Sequence, residues 1–369
     1  MPSKPRFFFL IDILAACNLR CPTCPVGNSG DQRWTGGTMS PELLRDILQK
    51  ATNECDVTGV ALYNWTEPLL HPQLPEMIRL VNEFGLLCDL STNLNRLKDP
   101  ETLLRANPQS IVISLSGFTQ EIYSRTHTRG DIERVKKNLA RLAAAKHATG
   151  ARTHLYIRYH RYRDNLHDEI QMRRFAREHD ISFQSVWAFM MPLEKTLAYL
   201  GDKKNGTPLS PEDHQTIDLL ALPLREGRDV AQRHRNQPCL LRDEQVTLDC
   251  EGKVMLCCSV YDRDKYGIGS FLETPIEKLQ QKRNAHSLCK TCMAQGLHVY
   301  GTYGTGELDD IAVKNVDVDA ARELDILGEG RRLRLKGHLS RIGQRLVGLR
   351  ATRWLGQFYD RLTRLRIRN

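Results

Sequence analysis

The sequence predicts an α/β protein built on six parallel strands, and three observations lead to this fold class. Apolar runs rich in β-branched or aromatic residues alternate with segments of helical period between residues 7 and 189. Strand–helix–strand units of this length pack as parallel strands with right-handed crossovers. Of the 369 residues, 41% are hydrophobic, which is enough for one large core. Periodicity alone leaves two architectures open, a doubly wound sheet and an incomplete barrel.

The six predicted strands follow one another at residues 7–14, 57–63, 87–92, 111–115, 153–159 and 181–188. Five helices fit the gaps between them. Two of these helices have clear start signals, because Ser40-Pro41-Glu42 and Asp99-Pro100-Glu101 each combine an N-cap residue with a proline in the first turn. The helix before strand five has apolar residues at helical spacing, Ile132, Val135, Leu139 and Leu142.

Three cysteines, Cys17, Cys21 and Cys24, lie in the loop after the first predicted strand with the spacing Cys-x3-Cys-x2-Cys. Thiolates select zinc, copper(I) or iron–sulfur clusters, but a structural zinc site needs four ligands and no fourth Cys or His lies nearby in the sequence. A 4Fe-4S cluster held by three cysteines keeps one iron open for a small molecule, which suits catalysis. A lipoprotein signal at residues 14–17 is disfavoured because Asp12 interrupts the apolar segment before it.

This cysteine motif resembles the signature loop of the radical S-adenosylmethionine (radical SAM) enzymes. The resemblance extends from residue 7 to about residue 298. It implies a partial (β/α)6 TIM-like barrel whose chemistry lies at the C-terminal ends of the strands. It also implies a 4Fe-4S cluster on Cys17, Cys21 and Cys24, with SAM bound at the open iron.

The same resemblance assigns SAM contacts to the ends of strands two and three. Thr66 and Glu67 follow strand two, where relatives carry a Gly-Gly-Glu or Trp-Gly-Glu-Pro segment that binds the methionine amino group of SAM. Thr66 departs from that pattern. Asn93 closes strand three in a Thr-Asn pair that is common in the family.

Strand four ends in Ser114 and Ser116, where relatives often have Ser-x-Asp-Gly and contact the ribose and carboxylate of SAM. The period of a strand places both hydroxyls on one face, so both are expected to reach the barrel lumen. Many relatives carry an arginine shortly downstream. Here the candidates are His127 and its flanking residues Arg125 and Arg129, and the resemblance leaves open which of them faces SAM.

Strand five carries polar side chains at every second position, His154, Tyr156, Arg158 and His160. A parallel strand between helices is normally buried on both faces. The polar face is therefore expected to line the lumen, with Arg158 in contact with SAM or substrate, although an exposed edge strand would give the same pattern.

A second set of cysteines, Cys239, Cys257, Cys289 and Cys292, surrounds a predicted hairpin of residues 246–256. Zinc would accept four thiolates as readily as iron. Behind a radical SAM motif, this spacing resembles the twitch domain, the shortened SPASM domain that holds one auxiliary 4Fe-4S cluster. The longer SPASM pattern continues with more cysteines, but its next position is His298 here. The two remaining cysteines of this region, Cys250 and Cys258, are expected to be structural, with ligand exchange or hydrogen donation as the alternatives.

The predicted domain organisation has five parts. They are the radical SAM barrel (1–195), a connecting helical region (196–236), the twitch domain (237–300), an acidic connector (301–330) and a basic amphipathic helical tail (331–369).

In the radical SAM family, cleavage of SAM yields a 5′-deoxyadenosyl radical that abstracts hydrogen from the substrate. An auxiliary cluster closed by four cysteines has no open iron, so its expected role is to accept an electron. The resemblance therefore implies an oxidoreductase that performs two-electron oxidation (dehydrogenation) of a sugar, aminocyclitol or glycan-type alcohol. The alternative is a peptide-modifying maturase that performs epimerisation or crosslinking. A flavodoxin- or ferredoxin-type reductant is the expected partner, together with a small sugar-like substrate.

Composition and charge restrict the location and partners of the protein. Eleven cysteines without a credible export signal predict a reducing, cytoplasmic compartment, and no segment approaches the ~20 apolar residues of a membrane span. The net charge is +9, but residues 331–369 hold twelve Lys or Arg against one acid, so they carry +11 and residues 1–330 carry −2. A nearly neutral body argues against a nucleic-acid partner.

The tail repeats apolar residues every three or four positions, at Leu335, Leu339, Ile342, Leu346 and Leu349, then at Leu355, Phe358, Leu362 and Leu365. Such a helix could pack on the acidic connector, bind RNA, or lie on the inner face of an anionic membrane.

The membrane alternative makes a direct prediction. We expect the full-length protein to float with anionic liposomes at low salt, because each basic residue gains about 1 kcal/mol at such a surface. A protein lacking residues 331–369 should stay at the bottom of the gradient. Equal flotation of both proteins, or of neither, would contradict membrane contact through the tail.

Overall fold

The structure, a computed structural model, describes residues 4–29, 37–302 and 306–328. The tail helices expected in residues 331–369 lie outside these ranges. Among the residues inside them, every helix is too short or too polar to cross a lipid bilayer.

Nine strands form one mixed sheet in the order β6-β5-β4-β3-β2-β1-β7-β8-β9. Strands β1 to β6 are all parallel, so the predicted α/β architecture with six parallel strands is confirmed. The strands are β1 (Arg6–Ile11), β2 (Asp56–Ala61), β3 (Cys88–Thr92), β4 (Ser110–Leu115), β5 (His154–Arg161), β6 (Ser182–Trp187), β7 (Gln245–Leu248), β8 (Lys253–Met255) and β9 (Gly267–Ser270).

Among the described residues, seven helices connect the six parallel strands, two more than predicted. They are α1 (Pro25–Asn28), α2 (Pro41–Glu54), α3 (Leu74–Glu83), α4 (Pro100–Arg105), α5 (Gln120–Thr126), α6 (Ile132–Thr149) and α7 (Leu166–Glu178). The predicted start signals are real, since Ser40 accepts a hydrogen bond from the Leu43 N–H and Asp99 accepts one from the Thr102 N–H. The additional helices, α1 and α5, have only four and seven residues, too few for a periodic pattern.

The remaining α-helices of the described residues lie beyond β6. They are α8 (Leu193–Tyr199), α9 (Pro211–Asp218), α10 (Leu224–Arg233), α11 (Leu240–Asp243), α12 (Arg263–Tyr266), α13 (Ile276–Ala285), α14 (Ser287–Ala294), α15 (Leu297–Tyr300), α16 (Glu307–Ala312) and α17 (Val318–Glu323). One short 3-10 helix follows β2, at Pro68–Leu70, and another precedes α17, at Val313–Asn315.

The main hydrophobic core joins the sheet to its crossover helices. Leu44 and Ile47 of α2 are fully buried in the same cluster as Phe9 and Ile11 of β1. Burial of such side chains contributes about 1.5–3 kcal/mol each, which holds the outer helices against the sheet. The opposite face of the sheet is thereby left for polar side chains.

The predicted hairpin is present, but it continues the barrel sheet. Strands β7 and β8 pair antiparallel around a turn in which Gly252 has a φ of 77°, and β7 also pairs in parallel with β1. An unpaired β1 would expose a row of backbone N–H and C=O groups, so this pairing covers an edge that a six-stranded sheet would leave open. The hairpin is therefore fixed to the strand that precedes the first cysteine loop.

Candidate active site

The first three cysteines lie in a tight loop between β1 and α1. The Cys24 N–H donates to the Cys21 carbonyl at 3.0 Å, and the Gly27 N–H donates to the Cys24 carbonyl at 2.9 Å. No side chain fits at Gly27, because a Cβ there would lie 2.2 Å from the Cys21 carbonyl oxygen. The backbone thus turns back on itself and brings Cys17, Cys21 and Cys24 together.

The electrostatics of these thiols fit a cationic metal centre. Burial raises the pKa of Cys17 to about 11 and that of Cys24 to about 12. Burial also raises the pKa of Cys21, and the neighbouring Cys24 and Cys17 raise it further by repelling its negative charge. The positively charged core of an iron–sulfur cluster, which is wider than a single ion, would offset this repulsion and stabilise the thiolates. The donor set therefore fits an iron–sulfur cluster.

A buried ion pair holds the end of this loop. The Lys195 ammonium lies 2.6 Å from the Asp213 carboxylate and also donates to the carbonyl of Asn28 at 2.6 Å. The Asn28 amide donates in turn to the carbonyls of Pro22 and Met191. The loop is thus attached to the helices that follow β6.

A cavity of about 270 Å³ opens beside the three thiols. This is just below the roughly 300–1,000 Å³ of typical ligand pockets. Its other walls come from the ends of β2 to β6, and their polar members include Thr66, Glu67, Asn93, Ser114, His127 and His160. The C-terminal strand ends therefore meet at one site, as expected for a parallel barrel.

Asp12 organises the loop after β2. Its carboxylate accepts hydrogen bonds from the backbone N–H groups of Asn64, Trp65 and Thr66 at 3.0–3.1 Å, and from the Thr66 hydroxyl at 2.6 Å. Burial raises the pKa of Asp12 to about 6. Successive N–H groups that point to one spot form an anion site, and here a side chain of the protein itself fills it. The hydroxyl of Thr66 is thus engaged with Asp12.

Glu67 connects the same loop to the end of β3. One carboxylate oxygen accepts from the Thr92 hydroxyl at 2.7 Å and from the Leu69 N–H at 3.1 Å. The other accepts from the Asn93 N–H at 2.8 Å. Burial raises the pKa of this carboxyl to about 7. Both oxygens already hold the scaffold, so this edge offers mainly backbone atoms to a ligand.

Asn93 reaches the first cysteine of the cluster motif. Its side-chain amide lies 3.8 Å from the Cys17 sulfur and donates to the Asn18 side chain at 3.1 Å. The backbone contact with Glu67 fixes the position of Asn93 from the other side. Of the predicted SAM contacts, Asn93 has the most direct relation to the thiols.

The two serines of β4 differ in their surroundings. Ser114 lines the cavity and lies 3.2 Å from Ser91, hydroxyl to hydroxyl. Ser116 is fully buried, and its hydroxyl contacts Thr126 and lies 2.7 Å from Nδ1 of His127. Ser116 thus orients His127, while Ser114 is the hydroxyl that a ligand in the cavity would meet.

The basic residues that follow β4 also differ in whether they face the cavity. His127 is buried, lines the cavity and stacks on Tyr123 at 4.6 Å, and burial lowers its pKa to about 3. Arg125 instead points outward, where it pairs with Asp164 and Glu121. The histidine is thus the inward residue, and it is neutral at physiological pH.

The polar residues of β5 differ in what they face. His160 is part of the cavity wall, and Arg158 lies directly opposite Ser114 of β4 and Gln184 of β6. Arg158 donates to Gln184 at 3.3 Å, and its Nε has no hydrogen-bond partner among the described residues. It does not line the cavity beside the thiols. The interior of a complete (β/α)8 barrel is filled by bulky branched side chains, so this polar lumen is suited to a polar ligand.

The four later cysteines also converge. Cys239, Cys257, Cys289 and Cys292 line one small, mainly apolar cavity of about 40 Å³. Cys239 precedes α11, Cys257 follows β8, and the other two lie within α14. Residues that are up to 53 positions apart thus form one thiol site, which is called the four-thiol site below.

Arg283 gives the four-thiol site a positive environment. Its side chain is 1% exposed and donates to the carbonyls of Leu256, Gln245 and Leu241. Among the described residues, no three Cys, His, Asp or Glu side chains lie close enough to hold a single metal ion. A cluster of four irons is wider than one ion, and four soft donors beside a buried guanidinium fit such an anionic cluster.

The two remaining cysteines of this region lie in different places. Cys250 is buried against Gly37, where a Cβ would come within 2.6 Å of the Cys250 sulfur. Cys258 directly follows Cys257 of the four-thiol site in the chain and is half-buried. Burial raises the pKa of its thiol to about 11.

A further cavity, of about 390 Å³, holds none of the residues predicted from sequence. It is lined by charged residues of α8 and of the segment after β8, including Glu194, Lys195, Arg263 and Asp264. Neither thiol set borders it, so we do not assign it to the chemistry.

Three residues that shape the candidate site were not predicted from sequence, Asp12, Lys195 and Tyr162. Asp12 and Lys195 act through partners far away in the chain, at Thr66 and Asp213. Tyr162 lines the cavity beside the thiols and lies 3.2 Å from the Thr23 hydroxyl. Only Asp12 had a signal, a carboxylate within an apolar run directly before the cysteine loop.

Comparison with protein families and curated proteins gives partial matches. Residues 11–161 match the model of the radical SAM superfamily. The chain is 26% identical over 178 residues to "GTP 3',8-cyclase" of Chlorobaculum tepidum, which covers 47% of this chain and 50% of that protein. It is also 29% identical over 92 residues to the "Tungsten-containing aldehyde ferredoxin oxidoreductase cofactor-modifying protein" of Pyrococcus furiosus. This match covers 25% of this chain and 25% of that protein. The chain spans half or less of the length of these relatives.

Solved structures share the fold over more of the chain. The structure of the Streptococcus suis protein SuiB bound to the precursor peptide SuiA has a TM-score of 0.52 at 13% identity, and the match covers 79% of this chain and 67% of the SuiB chain. The structure of anSMEcpe with bound AdoMet has a TM-score of 0.51 at 16% identity, and the match covers 87% of this chain and 99% of the anSMEcpe chain. At these identities the likeness concerns the fold, a radical SAM partial barrel.

Proposed function

The chain carries a radical SAM domain in residues 11–161, and we propose that it is a radical SAM oxidoreductase that oxidises an alcohol of a small, sugar-like molecule to a ketone. The family uses a 4Fe-4S cluster and SAM. One observation carries the proposal, namely a set of four thiols that line one cavity, in a chain that also has a three-cysteine loop facing polar strand ends. A closed site has no open iron for substrate, so its natural role is to accept an electron.

When bound, a cluster on Cys17, Cys21 and Cys24 would, with SAM, supply a 5′-deoxyadenosyl radical that takes a hydrogen atom from the substrate carbon. Oxidation to the ketone also requires that the hydroxyl lose its proton and that one electron leave the substrate. Cys239, Cys257, Cys289 and Cys292 would hold the cluster that could accept this electron. The described residues of the protein would position SAM and the substrate. Asp12 and Glu67 fix the loop beside the thiols, Asn93 contacts Cys17, and Ser114 is available for hydrogen bonds to SAM. Fixed geometry matters because a radical attacks whatever lies within reach.

His160 is suited to orient the substrate hydroxyl. Its Nδ1 lies 3.3 Å from the Leu115 carbonyl, which only accepts, so Nδ1 carries the proton and Nε2 is an acceptor. Burial, together with the nearby Arg158, lowers the pKa of His160 to about 4, so the ring is neutral at pH 7. A flavodoxin- or ferredoxin-type reductant completes the proposal, in a cytoplasmic setting.

The oxidation makes a prediction about mass. Incubation with the true substrate should consume one SAM per product and yield a product two hydrogens lighter, because one hydrogen atom and one proton leave without return. Mass spectrometry of the product, together with quantification of 5′-deoxyadenosine, measures both. A parallel reaction in deuterium oxide is the control, since an oxidised product has no new carbon–deuterium bond. An unchanged mass in water with one carbon-bound deuterium in deuterium oxide would contradict oxidation.

Epimerisation, of a sugar or in a peptide maturase, is the second candidate, and a half-buried cysteine outside both cysteine sets, Cys258, favours it. Its thiol, next to Cys257 in the chain, could return a hydrogen atom to the substrate radical. In that case Cys258→Ser should abolish deuterium incorporation while 5′-deoxyadenosine still forms. The matched control is Cys250→Ser, because that thiol is buried against Gly37.

A further inference from the structure

Arg283 differs from the other buried cations of the protein. Three Lys or Arg side chains are buried in the described part of the chain, Arg161, Lys195 and Arg283. Arg161 pairs with Glu169 and Lys195 pairs with Asp213. Arg283 hydrogen-bonds only to uncharged oxygens of the described residues, three backbone carbonyls and one side-chain amide. Burial of a charge without a counter-charge is costly, so an anionic group is expected beside it.

The hydrogen bonds of Arg283 reach the segments that carry the four thiols. Its Nε donates at 3.0 Å to the carbonyl of Leu256, directly before Cys257. Its Nη2 donates at 2.7 Å to the carbonyl of Leu241, two positions after Cys239. The helix of Arg283, α13, leads after a single residue into α14, which carries the other two thiols. One guanidinium is thus attached to every segment that forms the four-thiol site.

The thiols are close enough to act on this guanidinium. Burial lowers the pKa of Arg283, and negative charge on Cys257, Cys289 and Cys239 raises it. A guanidinium keeps its proton in proteins, so Arg283 is a fixed positive charge. A 4Fe-4S cluster held by four thiolates is an anion. It would therefore be the counter-charge that Arg283 lacks among the described residues.

We propose that Arg283 raises the reduction potential of the auxiliary cluster and so determines how readily the four-thiol site accepts an electron. The proposal rests on the auxiliary cluster of the proposed function. Reduction adds one negative charge to a cluster, and a fixed positive charge in a low-dielectric interior stabilises the reduced form more than the oxidised form. In this role Arg283 acts through the cluster and is not a catalytic residue.

A redox titration tests this role without any substrate. The full-length variant with Cys17, Cys21 and Cys24 changed to Ala keeps only the auxiliary centre. It is reconstituted with iron and sulfide and titrated with titanium(III) citrate, and electron paramagnetic resonance follows its reduction. In this background Arg283→Gln should lower the equilibrium constant for reduction at least about tenfold, which is about 59 mV for a one-electron couple. Arg283→Lys keeps the charge and should stay within about threefold of the parent.

Lys282→Gln is the matched control. It removes one positive charge from the neighbouring position of α13, but Lys282 is exposed and donates to the carbonyl of Ile268. Water and salt screen such a charge, so the equilibrium constant should change by no more than about twofold. An equal decrease in Lys282→Gln and Arg283→Gln would overturn the proposal, because burial of the charge would then make no difference.

Other outcomes separate the role of Arg283 from the cluster. Four irons with an unchanged or raised potential in Arg283→Gln would overturn the role of Arg283 alone. A background protein without iron would overturn the auxiliary cluster, on which the proposed function also depends.

A second variant covers the case in which only Arg283→Gln fails to retain iron. The Gln280 side chain accepts a hydrogen bond from the guanidinium at 3.1 Å, so Gln280→Glu would place a carboxylate on the intact Arg283. An equilibrium constant for reduction lowered at least about tenfold then supports the proposal. An unchanged constant, or loss of iron here as well, means that Arg283 only stabilises the fold.

Discussion

Simultaneous replacement of Cys17, Cys21 and Cys24 by Ala is expected to abolish SAM cleavage. Two 4Fe-4S clusters hold about eight irons, and the variant should keep about four, because only the four-thiol site remains. The three thiols share one small region, so no other described donor replaces them. Iron and sulfide analysis of anaerobically reconstituted protein, with chromatographic quantification of 5′-deoxyadenosine, measures both effects.

Cys55→Ala together with Cys88→Ala is a matched control for that experiment. Both thiols are buried in the main core, away from either cysteine set. This variant should lose some stability but keep about eight irons and its SAM cleavage. Residual 5′-deoxyadenosine in the triple variant would refute the assignment of the first cluster, and loss of all iron would refute the independence of the second.

Asp12→Asn is expected to have the largest effect of any single substitution outside the thiols. The change replaces an acceptor oxygen by an N–H₂ group that faces donors from Asn64, Trp65 and Thr66. Each buried donor left without an acceptor costs about 1–3 kcal/mol, so the free energy of unfolding should fall by at least about 2 kcal/mol. Urea unfolding followed by circular dichroism measures this loss. SAM binding should weaken as well, since the loop that contains Thr66 and Glu67 is no longer fixed.

Asp46→Asn provides the comparison for Asp12. Asp46 is exposed on α2, and its replacement should change the free energy of unfolding by no more than about 0.5 kcal/mol. If Asp12→Asn were as stable as Asp46→Asn, the carboxylate would not be what holds the loop after β2.

Much of the fold could be predicted from sequence because its elements carry local signals. All six parallel strands lie within a few residues of their predicted positions, and the caps at Ser40 and Asp99 were identified from residue type alone. Strand β9 was missed, since its sequence, Gly-Ile-Gly-Ser, has neither alternation nor β-branched enrichment. The pairing of β7 with β1 was missed because about 230 residues separate the two strands, and no local pattern encodes such a contact.

The same distinction between local and long-range information applies to the candidate site. The cysteines and strand-end residues could be predicted because motif spacing and strand period are local properties. Their hydrogen-bond partners could not be predicted, since Asp12 binds a loop more than 50 positions away and the Ser116 hydroxyl contacts His127 instead of the cavity. Period 2 correctly placed Ser114 and Arg158 on the lumen face, but it could not say which level of the lumen each one reaches.

The pairing of β1 with β7 has a consequence for the electron transfer that we propose between the two thiol sets. Strand β1 leads into the loop of Cys17, and β7 leads through the hairpin to Cys257, so adjacent, hydrogen-bonded strands connect to the two thiol sets. Electron tunnelling falls steeply with distance, and two sites on separate domains would approach and separate as the domains move. Here one continuous sheet sets the gap. Tunnelling between the centres should therefore proceed at a single rate that is insensitive to solvent viscosity.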